Sequence, residues 1–302
     1  MILSAGESLI DMLPRRSTLG EACFAPYAGG AVMNTAIALG RLGSQSAFLS
    51  GISNDLMGEV IKATLAESKV NIDHAVWSDR PTTLAFVKLT NGHASYSFYD
   101  ENTAGRMLKI EDMKPLPTAL KAFFTGGIWL AVEPCGTAFE ALMIREAAAR
   151  VTMLDPNVRP SFVADRGAYT ARIDRMFAKA DIVKMSDEDA TWLYGTLDPA
   201  AILAKGAKVV LITEGSKGAT AYNARGSVHV DAPKITVADT VGAGDTFNAG
   251  FLAALDRADL LTKAQVADLS DAQLTSALDL GVRAAAVTCS RPGANPPWAH
   301  EL

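Results

Sequence analysis

Short apolar runs alternate along the chain with longer stretches of helical periodicity, and this alternation constrains the fold more than any other feature. The runs with strand character are 2–4, 47–51, 122–125, 151–154, 181–184 and 208–213. The stretches with helical spacing are 31–42, 56–68, 137–150, 169–178 and 271–289. Repeated strand and helix predict an α/β fold, with a mostly parallel central sheet and helices on both faces. We expect residues 1–302 to form a single domain.

A pair of strand-like runs interrupts this alternation. Residues 84–89 and 94–99 flank Asn91-Gly92, a dipeptide that favours the type I′ turn of a β-hairpin. In the second run Tyr96 and Phe98 share one face, so one face can pack while the other meets water or a polar ligand. We expect inserted segments near 12–28 and 77–103 to form a small β lid, with residues 15–20 irregular or at an edge.

Charge and composition narrow the choice of partner and compartment. The net charge is −5 and no Lys/Arg-rich run occurs, which argues against nucleic acid. No stretch approaches the roughly 18 apolar residues of a membrane span, and the N-terminus lacks the pattern of a signal peptide. Three widely spaced cysteines indicate a reduced compartment. We therefore expect a cytoplasmic protein without a membrane partner.

The turn at residues 242–244, here called the glycine turn, carries the clearest chemistry. Gly242, Ala243 and Gly244 follow a strand-like run at 235–238 and precede an apolar run with helical spacing that begins at Phe247. The N–H groups at such a helix start, together with the helix dipole, bind phosphate or another anion. Asp245 stands directly behind the glycines, where a carboxylate is well placed to orient and deprotonate a hydroxyl that attacks phosphate.

Other polar groups also follow predicted strands, and the carboxyl ends of parallel strands form one ligand-binding edge. They are Glu7 and Asp11, 155–159, 186–189 and 213–218. Gly29 and Gly30 allow a polyhydroxylated ligand to approach the backbone, and the Asn34 amide lies one turn into the next helix. Each cluster also has a structural explanation: Asp11 as a loop cap, Arg159 as a surface residue, and 187–189 as a solvated helix start. We interpret them together as one cleft.

Several common enzyme motifs are absent from the sequence. Phe247 stands where a dinucleotide fingerprint would have its third glycine, which disfavours a dehydrogenase. Neither a P-loop nor a G-x-S-x-G elbow occurs. The four histidines lack metal-ligand spacing, so we assign them no role.

Two long motifs together resemble a known family. Gly29-Gly30-Ala31-Val32-Met33-Asn34-Thr35-Ala36, continued by Ala38-Leu39-Gly40-Arg41-Leu42-Gly43, resembles the first signature of the ribokinase-like sugar kinases, the PfkB family. The stretch 239–250, Asp-Thr-Val-Gly-Ala-Gly-Asp-Thr-Phe-Asn-Ala-Gly, resembles the second. Residues 6–11, 96–104 and 155–160 are most similar to those of bacterial fructokinases within that family. The resemblance covers essentially the whole chain and implies a ribokinase-like fold.

The resemblance also implies roles for individual residues. It implies that Asp245 is the catalytic base and that the amides of Gly242, Ala243 and Gly244 form an anion hole. The implied sugar-binding residues are Asp11, Gly29, Gly30, Asn34, Tyr96, Phe98 and Arg159. The implied nucleotide-binding residues are Lys184, Asp189, Thr213, Gly215, Gly218, Gly242, Gly244 and Asn248. Asp239 and the Val241 carbonyl correspond to a monovalent-cation site. The family's Asn-x-x-Glu is replaced by Ser186 and Asp189, which leaves Asp189 as the candidate for Mg2+.

The activity implied is transfer of phosphate from ATP to a hydroxyl of a ketohexose, most closely fructose, with Mg2+ and K+ as the implied cations. A homodimer through the lid is also implied. A 2-keto-3-deoxygluconate kinase is an alternative, for which Arg106 and Arg159 would supply positive charge. A catalytically silent sugar- or nucleotide-binding protein on the same fold is another.

Overall fold

The computed structural model describes residues 1–90 and 93–302 and contains a large and a small sheet. The strands are β1 (Ile2–Ala5), β2 (Leu9–Arg16), β3 (Ala22–Gly29), β4 (Ser46–Leu49), β5 (Gly51–Ser53), β6 (Val76–Ser78), β7 (Leu84–Thr90), β8 (His93–Tyr99), β9 (Ala122–Gly126), β10 (Val151–Asp155), β11 (Ile182–Ser186), β12 (Val209–Thr213), β13 (Ala219–Asn223) and β14 (Gly226–Val230). The helices are α1 (Ala31–Arg41), α2 (Leu56–Glu67), α3 (Cys135–Glu146), α4 (Arg166–Phe177), α5 (Asp187–Tyr194), α6 (Pro199–Lys205), α7 (Ala243–Arg257), α8 (Lys263–Ala267) and α9 (Asp271–Cys289).

The large sheet has eight strands in the order β14-β13-β12-β11-β10-β9-β1-β4. The strands from β12 to β4 are parallel, and β13 and β14 extend the sheet in antiparallel fashion. One apolar core lies between the sheet and α1, α2, α7, α8 and α9, and a second lies against α3, α4, α5 and α6. The predicted α/β fold with a mostly parallel sheet is therefore confirmed. None of the described helices is long and apolar enough to cross a bilayer.

The small sheet, here called the lid, has four strands in the order β3-β2-β7-β8. Strands β2 and β3 form an antiparallel hairpin, β2 pairs in parallel with β7, and β7 pairs in antiparallel fashion with β8. The predicted Asn91-Gly92 turn lies outside the described residues. Residues 15 and 16 extend β2 and pair with β3 alone, because the pairing of β2 with β7 ends at Met12. This part of the segment expected to be irregular or at an edge therefore lies at an edge.

Two further expectations about the strands are corrected. The run 47–51 is divided between β4 and β5, and β5 pairs with β6 away from the large sheet. Residues 235–238 form no strand, so the chain reaches Gly242 through an irregular segment. Ile235 and Val237 are exposed, and the Ala238 amide bonds to the carbonyl of Cys289 at the end of α9. The apolar residues there pack against no neighbouring strand, which the sequence pattern could not reveal.

Candidate active site

Asp245 lies in the first turn of α7 and is buried where three segments of the chain meet. Its Oδ2 accepts a 2.9 Å hydrogen bond from Asn34 Nδ2, and its Oδ1 accepts a longer bond of 3.4 Å from Asn157 Nδ2. The hydroxyl of Thr35 donates to its main-chain oxygen at 3.2 Å. Burial raises the pKa of Asp245 to about 6, against the lowering effect of the Asn34 hydrogen bond. The carboxylate is therefore fixed in position and more basic than an exposed aspartate.

The glycine turn begins α7 with open backbone donors. Gly242 adopts a left-handed conformation (φ 78°), and a Cβ there would lie 2.7 Å from the Ala294 side chain, so glycine is needed at this position. The Ala243 amide donates to the Thr240 carbonyl at 3.3 Å, whereas the amides of Gly242 and Gly244 have no protein acceptor among the described residues. The amides of the two glycines could therefore bind an anion, whereas the Ala243 amide is already engaged.

A buried lysine lies against this turn. Lys184, on β11, places its Nζ 2.9 Å from Asp155 Oδ2 and 3.1 Å from where a Cβ on Gly244 would stand. The Nδ2 of Asn248, one turn further along α7, donates to the same Asp155 oxygen at 2.7 Å. Lys184 and Asn248 thus donate to the same Asp155 oxygen. The ion pair with Asp155 holds the Lys184 ammonium beside the glycine turn. Phosphate at the turn would thus meet a fixed positive charge as well as backbone amides.

The sequence analysis included Asp155 and Asn157 in the polar cluster 155–159 but assigned neither a role of its own. Asn157 has a positive φ of 42°, a conformation that is costly for a residue other than glycine. It connects the end of β10 to Asp245, while Asp155 connects the same turn to Lys184. The signal available in the sequence was an Asp-x-Asn pattern directly after a buried strand.

Helix α1 and the lid contribute further residues to the cleft. Asp11, on β2, pairs with Tyr27 and Ala85 of the neighbouring strands. A Cβ on Gly29 would lie 2.5 Å from its Oδ2, so the glycine makes room for the carboxylate. Burial raises the pKa of Asp11 to about 6. The backbone N–H of Asn34 donates to the Gly30 carbonyl in the first turn of α1. The Asn34 side chain reaches Asp245 in the same cleft.

The two predicted aromatic residues lie on β8 and contact each other. The rings of Tyr96 and Phe98 stack with centroids 5.9 Å apart. Phe98 also packs edge-on against Phe162, with ring centroids 4.5 Å apart. Phe162 follows β10 in a short 3-10 turn at Pro160–Phe162, so this contact joins the lid to the large sheet beside Arg159. The Arg159 guanidinium donates to the nearby Val158 carbonyl at 3.1 Å, and its charge lowers the pKa of Asp245.

Asp189 takes part in a helix cap. Its Oδ2 accepts from the Ser186 amide at 3.2 Å while its own amide donates to Ser186 Oγ at 3.0 Å, which forms a capping box at the start of α5. Its Oδ1 accepts from the Val158 amide at 2.9 Å. Both carboxylate oxygens thus already bind backbone donors. The described residues contain no group of three or more His, Cys, Asp or Glu side chains that could hold a metal ion.

The remaining predicted residues lie on two loops. Thr213 ends β12, and Gly215 (φ 56°) and Gly218 (φ 107°) adopt conformations suited to glycine in the turn that follows. Asp239 accepts from the Val241 amide at 3.1 Å through Oδ1 and from the Gly293 amide at 2.9 Å through Oδ2. Asp239 therefore closes the loop that leads into the glycine turn.

A fixed carboxylate behind an anion-binding helix start, at the edge of a parallel sheet with a β lid, defines a small-molecule kinase of the ribokinase-like class. Comparison with known families identifies the group more closely. The chain belongs to the pfkB family of carbohydrate kinases, which it matches over residues 2–301. The family expected from the two motifs is thus confirmed.

Among curated proteins, the chain is 54% identical over 283 residues to a fructokinase from Rhizobium leguminosarum bv. trifolii, covering 92% of this chain and 87% of that protein. Among solved structures, a fructokinase with bound ATP from Xylella fastidiosa superposes with a TM-score of 0.89 at 27% identity, covering 97% of this chain and 93% of that one. A fructokinase from Vibrio cholerae with fructose, ADP and calcium ion superposes with a TM-score of 0.81 at 25% identity, covering 97% and 94%.

Proposed function

We propose that this protein transfers the terminal phosphoryl group of ATP to a hydroxyl of fructose. The observation that carries the proposal is the position of Asp245, buried at the glycine turn and held by Asn34 at 2.9 Å. The extensive similarity to proteins named fructokinases supports fructose as the acceptor. ATP is the donor, in keeping with the ATP bound to the Xylella fastidiosa relative.

In the proposed step, Asp245 orients the attacking hydroxyl and takes its proton as the new O–P bond forms and ADP leaves. Even with a pKa of about 6, the carboxylate is too weak to remove an alcohol proton beforehand. In a loose transition state the proton leaves late, so positioning is sufficient. The Gly242 and Gly244 amides and the Lys184 ammonium stabilise the charge on the phosphoryl group. Losing one such donor typically costs about 10²–10³ in rate.

We assign the nucleotide to the turn at Thr213, Gly215 and Gly218, with Asn248 and Asp189 on the phosphate side. Mg2+ is usually bound through substrate phosphates and one or two carboxylates, with water completing its shell. Because the Asp189 oxygens accept backbone hydrogen bonds, we infer that Asp189 contacts Mg2+ through water. When bound, Mg2+ neutralises charge on the phosphates.

We propose that a monovalent cation, K+ being the expected ion, binds near Asp239 and the Val241 carbonyl and stabilises the loop before the glycine turn. Comparing kcat in K+ with kcat in Li+ at constant ionic strength tests this assignment. Equal kcat values in the two salts would refute the assignment of a K+ site.

We also propose a homodimer through the outer face of the lid. There Phe86 packs edge-on against Phe24 and Tyr99, with ring centroids 5.1 and 5.5 Å apart. Phe24 is 48% exposed and Tyr99 63% exposed, so apolar surface remains uncovered. Sedimentation of the protein and of a Phe24→Ser/Tyr99→Ser variant tests this interface.

Because ATP is the donor, we infer a cytoplasmic location.

A panel of acceptors tests the proposed activity. ADP release is measured with fructose, glucose, ribose, 2-keto-3-deoxygluconate and nucleosides, and fructose is expected to give the highest kcat/KM. Of the two arginines that would bind the acid group of 2-keto-3-deoxygluconate, Arg106 already pairs with Asp100 at 2.9 Å. Arg159 is the one that remains. Preference for the keto acid would overturn the assignment to fructose, and no release with any acceptor would identify a silent binder.

A further inference from the structure

A buried carboxyl group that has no role in the proposed reaction lies at the start of α1, the helix that carries Asn34. Glu7 follows β1 and is 1% exposed. Its Oε1 accepts a 3.0 Å hydrogen bond from the amide of Ala31, the first residue of α1. Helix starts are usually capped by the residue before them, but here that residue is Gly30, which offers no side chain. A glutamate 24 positions earlier in the chain caps the helix instead.

The structure makes specific room for this carboxyl. Gly127, directly after β9, has a positive φ of 76°, and a Cβ on it would overlap both carboxyl oxygens of Glu7. Gly30 also lies against Glu7, since a Cβ there would lie 2.9 Å from the Glu7 carbonyl oxygen and 3.1 Å from its Cγ. Two glycines in conformations that other residues rarely adopt thus make room for one residue.

The helix that Glu7 caps carries the residues that hold the catalytic carboxylate. One turn after Ala31, Asn34 donates to Asp245 Oδ2 at 2.9 Å and Thr35 donates to the Asp245 main-chain oxygen at 3.2 Å. We propose that Glu7 is a positioning residue for phosphoryl transfer, which acts through its acceptor oxygen on the first turn of α1 and thereby on the hydrogen bond between Asn34 and Asp245. The inference rests on the proposed kinase function.

The carboxyl does this as a neutral acid. Its Oε2 is buried without a hydrogen-bond partner among the described residues, an arrangement that penalises a carboxylate more than a carboxylic acid. Burial raises the pKa of Glu7 to about 8, and the nearby Asp245 raises it too, whereas Arg159 lowers it. At neutral pH Glu7 is therefore un-ionised, whereas Asp245, with a pKa of about 6, carries a negative charge.

Kinetics of substituted proteins test the proposal. Glu7→Gln keeps an acceptor oxygen and is neutral, so its kcat should stay within about threefold of the unsubstituted protein. Glu7→Ala should lower kcat about 10- to 100-fold, since small misplacements of reacting groups have effects of this size. The matched control is Asp198→Ala, which removes the side-chain cap of the distant helix α6. It should cost stability but leave kcat unchanged.

A double-mutant cycle separates positioning from a general loss of stability. If Glu7 acts through Asn34, Glu7→Ala should cost at most a few-fold in kcat when Asn34 is already alanine. A full effect in that background, a Glu7→Gln variant as impaired as Glu7→Ala, or a folded Glu7→Ala variant with unchanged kcat would each overturn the proposal. If Glu7→Ala does not fold, the Glu7→Gln result still decides. If the unsubstituted protein is inactive with fructose, the proposed function itself is refuted.

Discussion

The side-chain amide of Asn34 donates a 2.9 Å hydrogen bond to Asp245 Oδ2 across 211 positions of sequence. Asn34 lies in the first turn of α1 and Asp245 in the first turn of α7. Each helix begins within one of the two family motifs, so this bond joins the two motifs in space. The bond also lowers the pKa of Asp245 against the larger effect of burial.

Removing this bond should change the pH dependence of the reaction. In Asn34→Ala the pKa of Asp245 should rise, so the acid limb of the kcat–pH profile should move to higher pH. Asn157→Ala removes a longer bond of 3.4 Å and should shift the limb less. Profiles of kcat at saturating substrates measure both shifts. If the acid limb of the kcat–pH profile does not move in Asn34→Ala, the ionisation of Asp245 does not determine that limb.

Two carboxylates should govern kcat/KM for fructose at acid pH. Burial raises the pKa of both Asp11 and Asp245 to about 6. Asp245 must be ionised to take the hydroxyl proton, and Asp11 must be ionised for both of its oxygens to accept hydrogen bonds from sugar hydroxyls. Activity should therefore be lost as the pH falls below about 6, with a limiting slope of log kcat/KM near two. Asp11→Asn should reduce that slope to one. A slope of one in the unsubstituted protein would contradict this account.

The ion pair of Lys184 and Asp155 should affect stability and activity differently. Lys184→Met leaves a buried Asp155 carboxylate without its cationic partner, which typically costs about 3–5 kcal/mol in the free energy of unfolding. It also removes positive charge beside the glycine turn, so kcat should fall about 10²–10³.

A second substitution separates the two effects. Adding Asp155→Asn to Lys184→Met should restore much of the stability, because no unpaired charge remains, but it should not restore kcat. Chemical denaturation and steady-state kinetics of the two variants provide the comparison. Recovery of kcat in the double variant would show that Lys184 serves only to neutralise Asp155.

The contact between Phe98 and Phe162 should matter for substrate capture. Phe98→Ala removes a contact that joins the lid to the large sheet, so the fructose KM should rise about tenfold and ATP hydrolysis without sugar should increase. Tyr99→Ala, on the outer face of the same strand, is the control and should change neither quantity. A fructose KM that Phe98→Ala leaves unchanged would argue that the lid serves only as a dimer surface.

Local patterns in the sequence predicted much of this structure. The helices α1 and α2, which begin at Ala31 and Leu56 as the helical spacing predicted, and the helix start at the glycine turn depend on residues close in the chain. The strand expected at 235–238 was wrong because its apolar residues have no neighbouring strand to pair with. Its β-branched residues resemble those of a buried strand, and only the tertiary structure shows that they are exposed.

The sequence named candidate site residues, but it could not show which of those far apart in the chain contact one another. Lys184 and Asp155 are 29 positions apart and pair because β10 and β11 lie side by side. Glu7 reaches Ala31 only after β1 and α1 have packed. The sequence marked Asp189 as a metal candidate from its place in a motif, but it could not show that backbone amides occupy both carboxylate oxygens.

The central claim is that Asp245 accepts the proton of the fructose hydroxyl. Its most direct test compares kcat for fructose-dependent ADP release with fructose affinity, measured by calorimetry, in the unsubstituted protein and in Asp245→Asn. The account predicts that kcat falls about 10²–10⁴-fold while the Kd for fructose changes only a few-fold. A variant that keeps nearly full kcat would contradict it.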